Sequence, residues 1–332
     1  MKHFTRIADL GVAGVANVFA EALAWKNQTP GAHLAHKILG MVFFNPSLRT
    51  RASFEAAMLR GGGHAIVLEV GSGIWKLEDR TGVVMDGDRP EHIREAIPVL
   101  GRYVDALAVR TFGALQDDDA DAADPVMNAF CELAGVPVIS MESAREHPCQ
   151  GLADLLTVRE SFGTTKKLPV TLTWAPHIKS LPKAVPHSFL LTAAAAGCEV
   201  RVAHPPGFDL HPAVLAEAQT YARQSGGLVT VTTDQQHAVS GSQVIYAKAW
   251  GPATKPVAAD GATARIAAHK DWLITDKTLS RASSDAIFLH CLPVRRNVEV
   301  ADEVLDGTHS RVIDEAENRF HVQRVLLHRL LN

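Results

Sequence analysis

Three short stretches carry most of the residues able to do chemistry. Ser47-Leu48-Arg49-Thr50-Arg51 follows the apolar run Ile38–Phe44, His147-Pro148-Cys149-Gln150 follows the run Val136–Met141, and His290-Cys291-Leu292-Pro293 ends the run that begins at Ala286. The first stretch sets two hydroxyls and a guanidinium where a helix is expected to start. Free backbone N–H groups and the helix dipole favour an anion there, and a phosphate dianion suits the set. The same residues also fit plain capping, with Ser47 or Thr50 tying down orphan N–H groups while Arg49 and Arg51 face solvent. Other phosphate signals are missing or misplaced. There is no GxxxxGK[ST], Gly61-Gly62-Gly63 precedes its strand, and Lys76 stands where the third glycine after Gly71-Ser72-Gly73 would complete a dinucleotide fingerprint.

Chemistry-capable side chains recur just after other apolar runs: Arg110, Glu142, His177, Lys248, Arg295 and Arg296. Sixteen histidines invite a metal reading, but no HExxH or facial-triad spacing accompanies them, so no metal is expected. Four cysteines form no CxxC pair, which argues against a zinc knuckle or a disulfide framework and fits a reducing cytoplasm. His147 and His290, taken singly, read equally well as catalytic or as satisfied structural histidines. Cys291 alone reads as a small buried apolar residue.

The elements that must position these residues follow from the apolar pattern. Runs at Tyr103–Val109, Leu168–Trp174, Glu199–Ala203, Leu228–Thr232, Gln243–Ala247 and Trp272–Thr275 join those above and alternate with helical patterns such as Arg51–Leu59, Pro125–Leu133, Leu152–Ser161 and Pro212–Arg223. The runs are continuous, not alternating, as expected of strands buried on both faces in a parallel sheet under helices. The fold class is therefore α/β, with two doubly wound parallel-sheet lobes and the site in the cleft between them. A length of 332 residues, 47% of them hydrophobic, suits two domains. The expected boundary gives domains 1–148 and 149–314. Leu10–Ala20 reads as an amphipathic first helix, not a signal peptide. Asp117–Asp124 reads as a solvated loop, and Pro252–Ala268 as a mobile one. With 33 basic against 36 acidic residues there is no basic stripe for nucleic acid and no anchor for a membrane.

The three stretches, in this order and near this spacing, resemble the S-x-R-T-R, H-P-x-Q and H-C-L-P signatures of the aspartate/ornithine carbamoyltransferases, over essentially the whole chain. One departure is informative. Where ornithine enzymes of that family carry an aspartate and a following S-M-G, this chain reads Tyr246-Ala247-Lys248-Ala249-Trp250-Gly251. A lysine repels a free α-ammonium but tolerates an acylated, neutral nitrogen. The pattern resembles the N-acylornithine branch, as do Phe43-Phe44-Asn45, Met85-Asp86-Gly87-Asp88 and Glu315-Ala316-Glu317-Asn318-Arg319. Within that branch the acetyl type resembles D-G-D-x-E-E-H, whereas this chain has Asp86-Gly87-Asp88-Arg89-Pro90-Glu91-His92. Pro90 removes a carboxylate that would oppose a succinyl group, so succinyl is preferred over acetyl. Trp75-Lys76-Leu77-Glu78, Thr173-Trp174-Ala175-Pro176-His177 and Pro293-Val294-Arg295-Arg296-Asn297 also resemble the succinyl type, as does Glu299 in place of a lysine.

The resemblance implies transfer of a carbamoyl group from carbamoyl phosphate to the δ-amine of an N-acylornithine, in arginine biosynthesis, with no cofactor. It places Ser47, Leu48, Arg49, Thr50 and Arg319 on the phosphate, and Thr50, Arg110 and His147 on the carbonyl oxygen. Gln150 and the main-chain carbonyls of Cys291 and Leu292 would take the carbamoyl NH2. Glu142, His177, Lys248, Arg295 and Pro90 would receive the acylornithine. Trp75 would reach a neighbouring subunit's site in a homotrimer, and a C-terminal helix over 315–332 would pack back on the first domain. Three alternatives stay open. They are an enzyme of the acetyl type, a non-catalytic relative kept for assembly or regulation, and a structural ion pair of Arg110 with Glu142 across the cleft.

Overall fold

The computed structural model describes residues 1–28, 31–253 and 261–332. Its first half runs α1 (Gly11–Lys26), β1 (Ile38–Phe43), α2 (Leu48–Arg60), β2 (His64–Glu69), β3 (Leu77–Glu78), β4 (Glu91–His92), α3 (Ile93–Leu100), β5 (Ala106–Arg110), α4 (Asp118–Ala123), α5 (Pro125–Leu133), β6 (Val138–Glu142) and α6 (Pro148–Phe162). The second half runs β7 (Pro169–Trp174), α7 (Ala184–Ala195), β8 (Glu199–Ala203), α8 (Pro212–Ser225), β9 (Leu228–Thr232), α9 (Gln235–Val239), β10 (Val244–Lys248), α10 (Ala262–Ala267), α11 (Asp276–Leu279), β11 (Ile287–Leu289), α12 (Asp302–Leu305) and α13 (Val312–Leu331).

Two large parallel sheets form among the described residues, in the orders β2-β1-β5-β6 and β11-β10-β7-β8-β9, each with helices on its faces, and β3 pairs with β4 beside them. Strands β5, β6 and β10 are buried along their whole length, which is why their sequences read as unbroken apolar runs. In the first sheet the chain reverses direction at β1, between β2 and β5; in the second it reverses between β7 and β10. A crevice opens at such a reversal beyond the carboxyl ends of the strands. Register aligns those ends. Phe43 pairs with Arg110, and Lys248 with Trp174. The pairing of β5 with β6 shifts between Val109 and Arg110, which brings Arg110 level with Glu142.

Two helices tie the lobes together. In α6 every residue from Pro148 to Val158 is buried, and it packs against both α13 and α7. A Cβ at Gly151 would lie 2.6 Å from both Ser188 O and Thr192 Oγ1, so glycine is what lets α6 and α7 approach this closely. The C-terminal α13 lies against α1, α2 and α6. Buried Val15, Val18, Phe19 and Ala22 give α1 one apolar stripe at helical spacing. No helix among the described residues is long and apolar enough to cross a membrane.

Three segments differ from expectation. Asp117–Asp124 is not a loop: Asp117 accepts from Asp119 N and Ala120 N and caps the short helix α4. Trp272–Thr275 is not a strand; a 3-10 turn over Lys270–Trp272 precedes a single bridge from Ile274 to Val300. Of the segment expected to be a mobile loop, Ala262–Ala267 is helical, and residues 254–260 lie outside the described residues.

Candidate active site

The crevices of both sheets open into one cavity of about 660 Å³ between the lobes. It gathers Ser47, Leu48, Arg49, Thr50, Arg110, Glu142, His147, Gln150, His177, Lys248, Cys291, Leu292, Arg295 and Arg319 from both halves of the sequence.

One end is built on the start of α2. Ser47 has extended backbone (φ −157°, ψ 124°) and its Oγ accepts from Thr50 N at 3.3 Å, so the capping reading holds locally. Capping does not send Arg49 to solvent. Its side chain lines the cavity and its Nε, buried, has no partner among the described residues. Arg51 does turn away, pairing with Glu55 and Glu69. From α13, Arg319 reaches across, and its Nη2 donates to Thr50 Oγ1 at 2.7 Å. Burial pushes the Arg319 guanidinium down to about 10, with Arg110 and Arg49 repelling it further. Arg49 is lowered in the same way, by burial and then by Arg110. Three mutually repelling guanidinium groups around one helix N-terminus make a site for a multiply charged anion.

The centre of the cavity holds Arg110, Glu142, His147 and Gln150. Arg110 Nη1 donates to Glu142 Oε2 at 2.5 Å, and its guanidinium lies 4.7 Å from the Phe112 ring centroid. This ion pair joins adjacent strand ends of one sheet; it does not cross the cleft. His147 caps α6, and its backbone N–H donates to Ser188 Oγ at 2.7 Å. Burial, followed by Arg319, Arg110 and Arg49, holds its imidazole well below the usual histidine range, so it is neutral near pH 7. Gln150 Oε1 is buried without a donor among the described residues. Leu292 takes a positive φ of 54°, and neither its carbonyl nor that of Cys291 accepts a hydrogen bond from a described residue. Three unpaired acceptors beside hydrogen-bond donors suit a small planar group carrying both NH2 and C=O.

The other end is cationic. Lys248 is 8% exposed, and its ammonium has no ion-pair partner among the described residues. Arg295 Nε donates to His177 Nε2 at 3.1 Å, while the other ring nitrogen, Nδ1, lies 2.9 Å from Lys179 O. Nε2 therefore accepts, and His177 holds Arg295 in place. Glu299, which the sequence left without a physical account, is buried. Its Oε2 accepts from Arg295 N at 2.7 Å and fixes the turn that carries this arginine.

Trp75 and Pro90 lie outside this cavity. Trp75 is 60% exposed, with its Nε1 donating to Glu91 Oε2 at 2.6 Å, and Pro90 is exposed on the same segment. Sequence reasoning missed Phe112, two residues beyond Arg110, and the buried acids Asp154 and Glu315 behind Gln150. Asp154 was legible in principle, one helical turn after Gln150 on a stretch otherwise free of charge. Among the described residues no cluster of three or more His, Cys, Asp or Glu side chains could hold a metal.

Two family models match the chain: the carbamoyl-P binding domain of aspartate/ornithine carbamoyltransferase over residues 2–160, and the Asp/Orn binding domain over residues 182–330. The chain belongs to the aspartate/ornithine carbamoyltransferase family. It is a carbamoyl-transferring enzyme. N-succinylornithine carbamoyltransferase of Bacteroides thetaiotaomicron is 40% identical over 100% of this chain and 99% of that relative. N-acetylornithine carbamoyltransferase of Xanthomonas campestris pv. campestris is 39% identical over 98% and 97%. The crystal structure of acetylornithine transcarbamylase complexed with acetylcitrulline matches this carbamoyltransferase with a TM-score of 0.95 at 38% identity, covering 100% of each chain. A point variant of N-acetyl-L-ornithine transcarbamylase, complexed with carbamyl phosphate and N-succinyl-L-norvaline, matches at 0.95 and 38%, covering 99% of this chain and 100% of that one.

Proposed function

We propose that this carbamoyltransferase moves the carbamoyl group of carbamoyl phosphate to the δ-amine of N2-succinyl-L-ornithine, giving N2-succinyl-L-citrulline and phosphate. The observation that carries the reading is a single cavity with a cationic pole at each end: Arg49 and Arg319 at one, Lys248 and Arg295 at the other. A phosphate dianion suits the first pole. The α-carboxylate and succinyl carboxylate suit the second, with the δ-amine extended between them toward Glu142.

In the reaction the deprotonated amine attacks the carbamoyl carbon. The carbonyl π electrons move onto oxygen, where Arg110, the neutral His147 imidazole and Thr50 donate hydrogen bonds. As the intermediate collapses, the carbon–oxygen bond to phosphorus breaks and its electron pair leaves on phosphate, beside Ser47, Leu48, Arg49 and Arg319. The amine proton passes to that phosphate. Gln150 Oε1 and the Cys291 and Leu292 carbonyls accept from the carbamoyl NH2. Residues 1–148, with α13 against them, form the carbamoyl phosphate half, and residues 149–314 form the acylornithine half. Pro90 and Trp75 act from a neighbouring chain of a homotrimer. Four free thiols suit a cytoplasmic setting.

Acetyl is the alternative acyl group, because the acetyl and succinyl relatives are almost equally similar, and Pro90 favours succinyl. A carboxylate at that position facing a succinyl carboxylate about 4 Å away would cost a few kcal/mol at the effective dielectric of a protein surface. Ureido-product formation is measured with carbamoyl phosphate and N2-succinyl-, N2-acetyl- or free L-ornithine in parallel. Turnover with the succinyl compound is expected to dominate, and Pro90→Glu to lower the succinyl-to-acetyl ratio by at least about tenfold. An acetyl preference in the wild type overturns the succinyl reading, and preference for free ornithine overturns the acyl reading altogether.

A further inference from the structure

Behind the cavity lies a buried pair of acids that the reaction just described does not use. Gln150 Nε2 donates to Asp154 Oδ1 at 2.7 Å and to Glu315 Oε1 at 3.1 Å, and Glu315 Oε2 accepts from His290 N at 2.8 Å. Gln150 and Asp154 lie one turn apart on α6, Glu315 is in the first turn of α13, and His290 ends the run through β11. All four are at most 1% exposed. Both amide hydrogens of Gln150 are taken, which leaves Oε1, unpartnered, as the atom offered to the cavity.

We propose that Glu315 is a positioning residue for the carbamoyl group. One of its oxygens locks the Gln150 amide with its carbonyl toward the cavity, and the other holds the His290 backbone that leads into the Cys291 and Leu292 carbonyls. The inference rests on the carbamoyl phosphate reading above. Two N–H donors from different elements, α6 and the end of β11, converge on one side chain, and only a carboxylate presents two acceptor oxygens to them. An amide at 315 would turn its NH2 on one donor. The simplest relief is for Gln150 to rotate and accept with Oε1, which would point its NH2 at the carbamoyl NH2.

Asp154 supports this arrangement from the other side. It lies within hydrogen-bond reach of Glu315. Burial raises both carboxyls, Asp154 to about 7 against the hydrogen bonds with Glu315, Gln150 and Tyr246 that pull it down, and the Asp154 charge raises Glu315 further, so the pair holds one proton near neutral pH. Tyr246, Cys291, Arg319 and Arg49 are the other titratable groups facing the pair. Both Glu315 oxygens already accept N–H bonds, while Asp154 Oδ2 is buried with no donor among the described residues. The proton therefore belongs on Asp154 Oδ2, donating to Glu315. Asparagine at 154 reproduces that donor with Nδ2 and keeps Oδ1 for Gln150.

The test is steady-state kinetics of the full-length enzyme with carbamoyl phosphate varied, alongside inhibition by inorganic phosphate. Phosphate occupies only the pole at Arg49 and Arg319 and does not use Gln150. For Glu315→Gln the KM for carbamoyl phosphate is expected to rise at least about tenfold and kcat to fall, with the inhibition constant of phosphate within about twofold of wild type. For Asp154→Asn the KM is expected to stay within about threefold. If Glu315→Gln does not fold, Glu315→Asp keeps the charge, withdraws both acceptors by a methylene, and gives the same split. Unchanged carbamoyl phosphate kinetics in Glu315→Gln, or an equal loss of phosphate binding, overturns the inference. Equal damage in Asp154→Asn overturns the placement of the proton. A wild type that neither binds nor turns over carbamoyl phosphate would instead defeat the proposed function, so the two failures are distinct.

Discussion

Lys248 shows how one side chain sets the chemistry of a pocket. It ends β10, is nearly buried, and has no counter-ion among the described residues. A buried ammonium left unpaired is costly, so a ligand carboxylate that completes the pair gains more there than at the surface. Lys248→Ala is therefore expected to raise the KM for the acylornithine at least about tenfold while leaving that for carbamoyl phosphate within about twofold. Equal changes in both constants would show that Lys248 supports the cavity as a whole. This residue was legible in the sequence because it follows a buried run and replaces a carboxylate. Glu315 was legible only as part of a motif. Its partners lie on α6 and at the end of β11, far away in the chain, and no local pattern announces two convergent donors.

Elements were legible where burial alone dictates them. Strands β5, β6 and β10 stand on the apolar runs, because strands covered on both faces leave unbroken hydrophobic segments. Helix α4 was hidden for the opposite reason. It buries no residue, and its order comes from the Asp117 cap and from acidic side chains near the positive end of its dipole. Docking of elements was hidden too, as Glu146 shows. From the loop between β6 and α6, its Oε2 accepts from Ile7 N at 2.8 Å and ties down the 3-10 turn before α1, while its Oε1 has no hydrogen-bond donor among the described residues, with Arg145 Nε 3.5 Å away. Burial chiefly, and Glu217, push this carboxyl up to about 8 against the opposing pull of Ile7 N, Arg145 and Arg6. Its folded pKa lies above its unfolded one, so its stabilising contribution is whole below about pH 4.5 and is lost as pH rises through about 8. Glu146→Gln keeps the acceptor for Ile7 and does not titrate. Between pH 6 and 8 the urea stability of the wild type is expected to fall by on the order of 1–2 kcal/mol more than that of the variant. Parallel pH slopes would mean that Glu146 is ionised in the native state.

The segment between β2 and α3 is braced against itself: Lys76 pairs with Asp88, and Arg89 Nη1 bonds Asp79 Oδ1 at 2.7 Å. These contacts keep Trp75 and Pro90 away from the cavity of their own chain and leave Trp75 and Val84 exposed at 60 and 82%. Exposed apolar side chains on a braced projection are suited to a second copy. If each site of a closed homotrimer takes Arg49 from one chain and Trp75 from the next, Arg49→Ala and Trp75→Ala chains are each inactive alone, because every site lacks one group. Mixed at random in equal amounts, a given site is complete only when both of its chains are the right kind, so about a quarter of wild-type activity returns on reassembly. Recovery at that level, with the mixed species sedimenting as a trimer, would show a site built across two chains. Sites complete within one chain would leave the mixture no more active than the two variants measured apart.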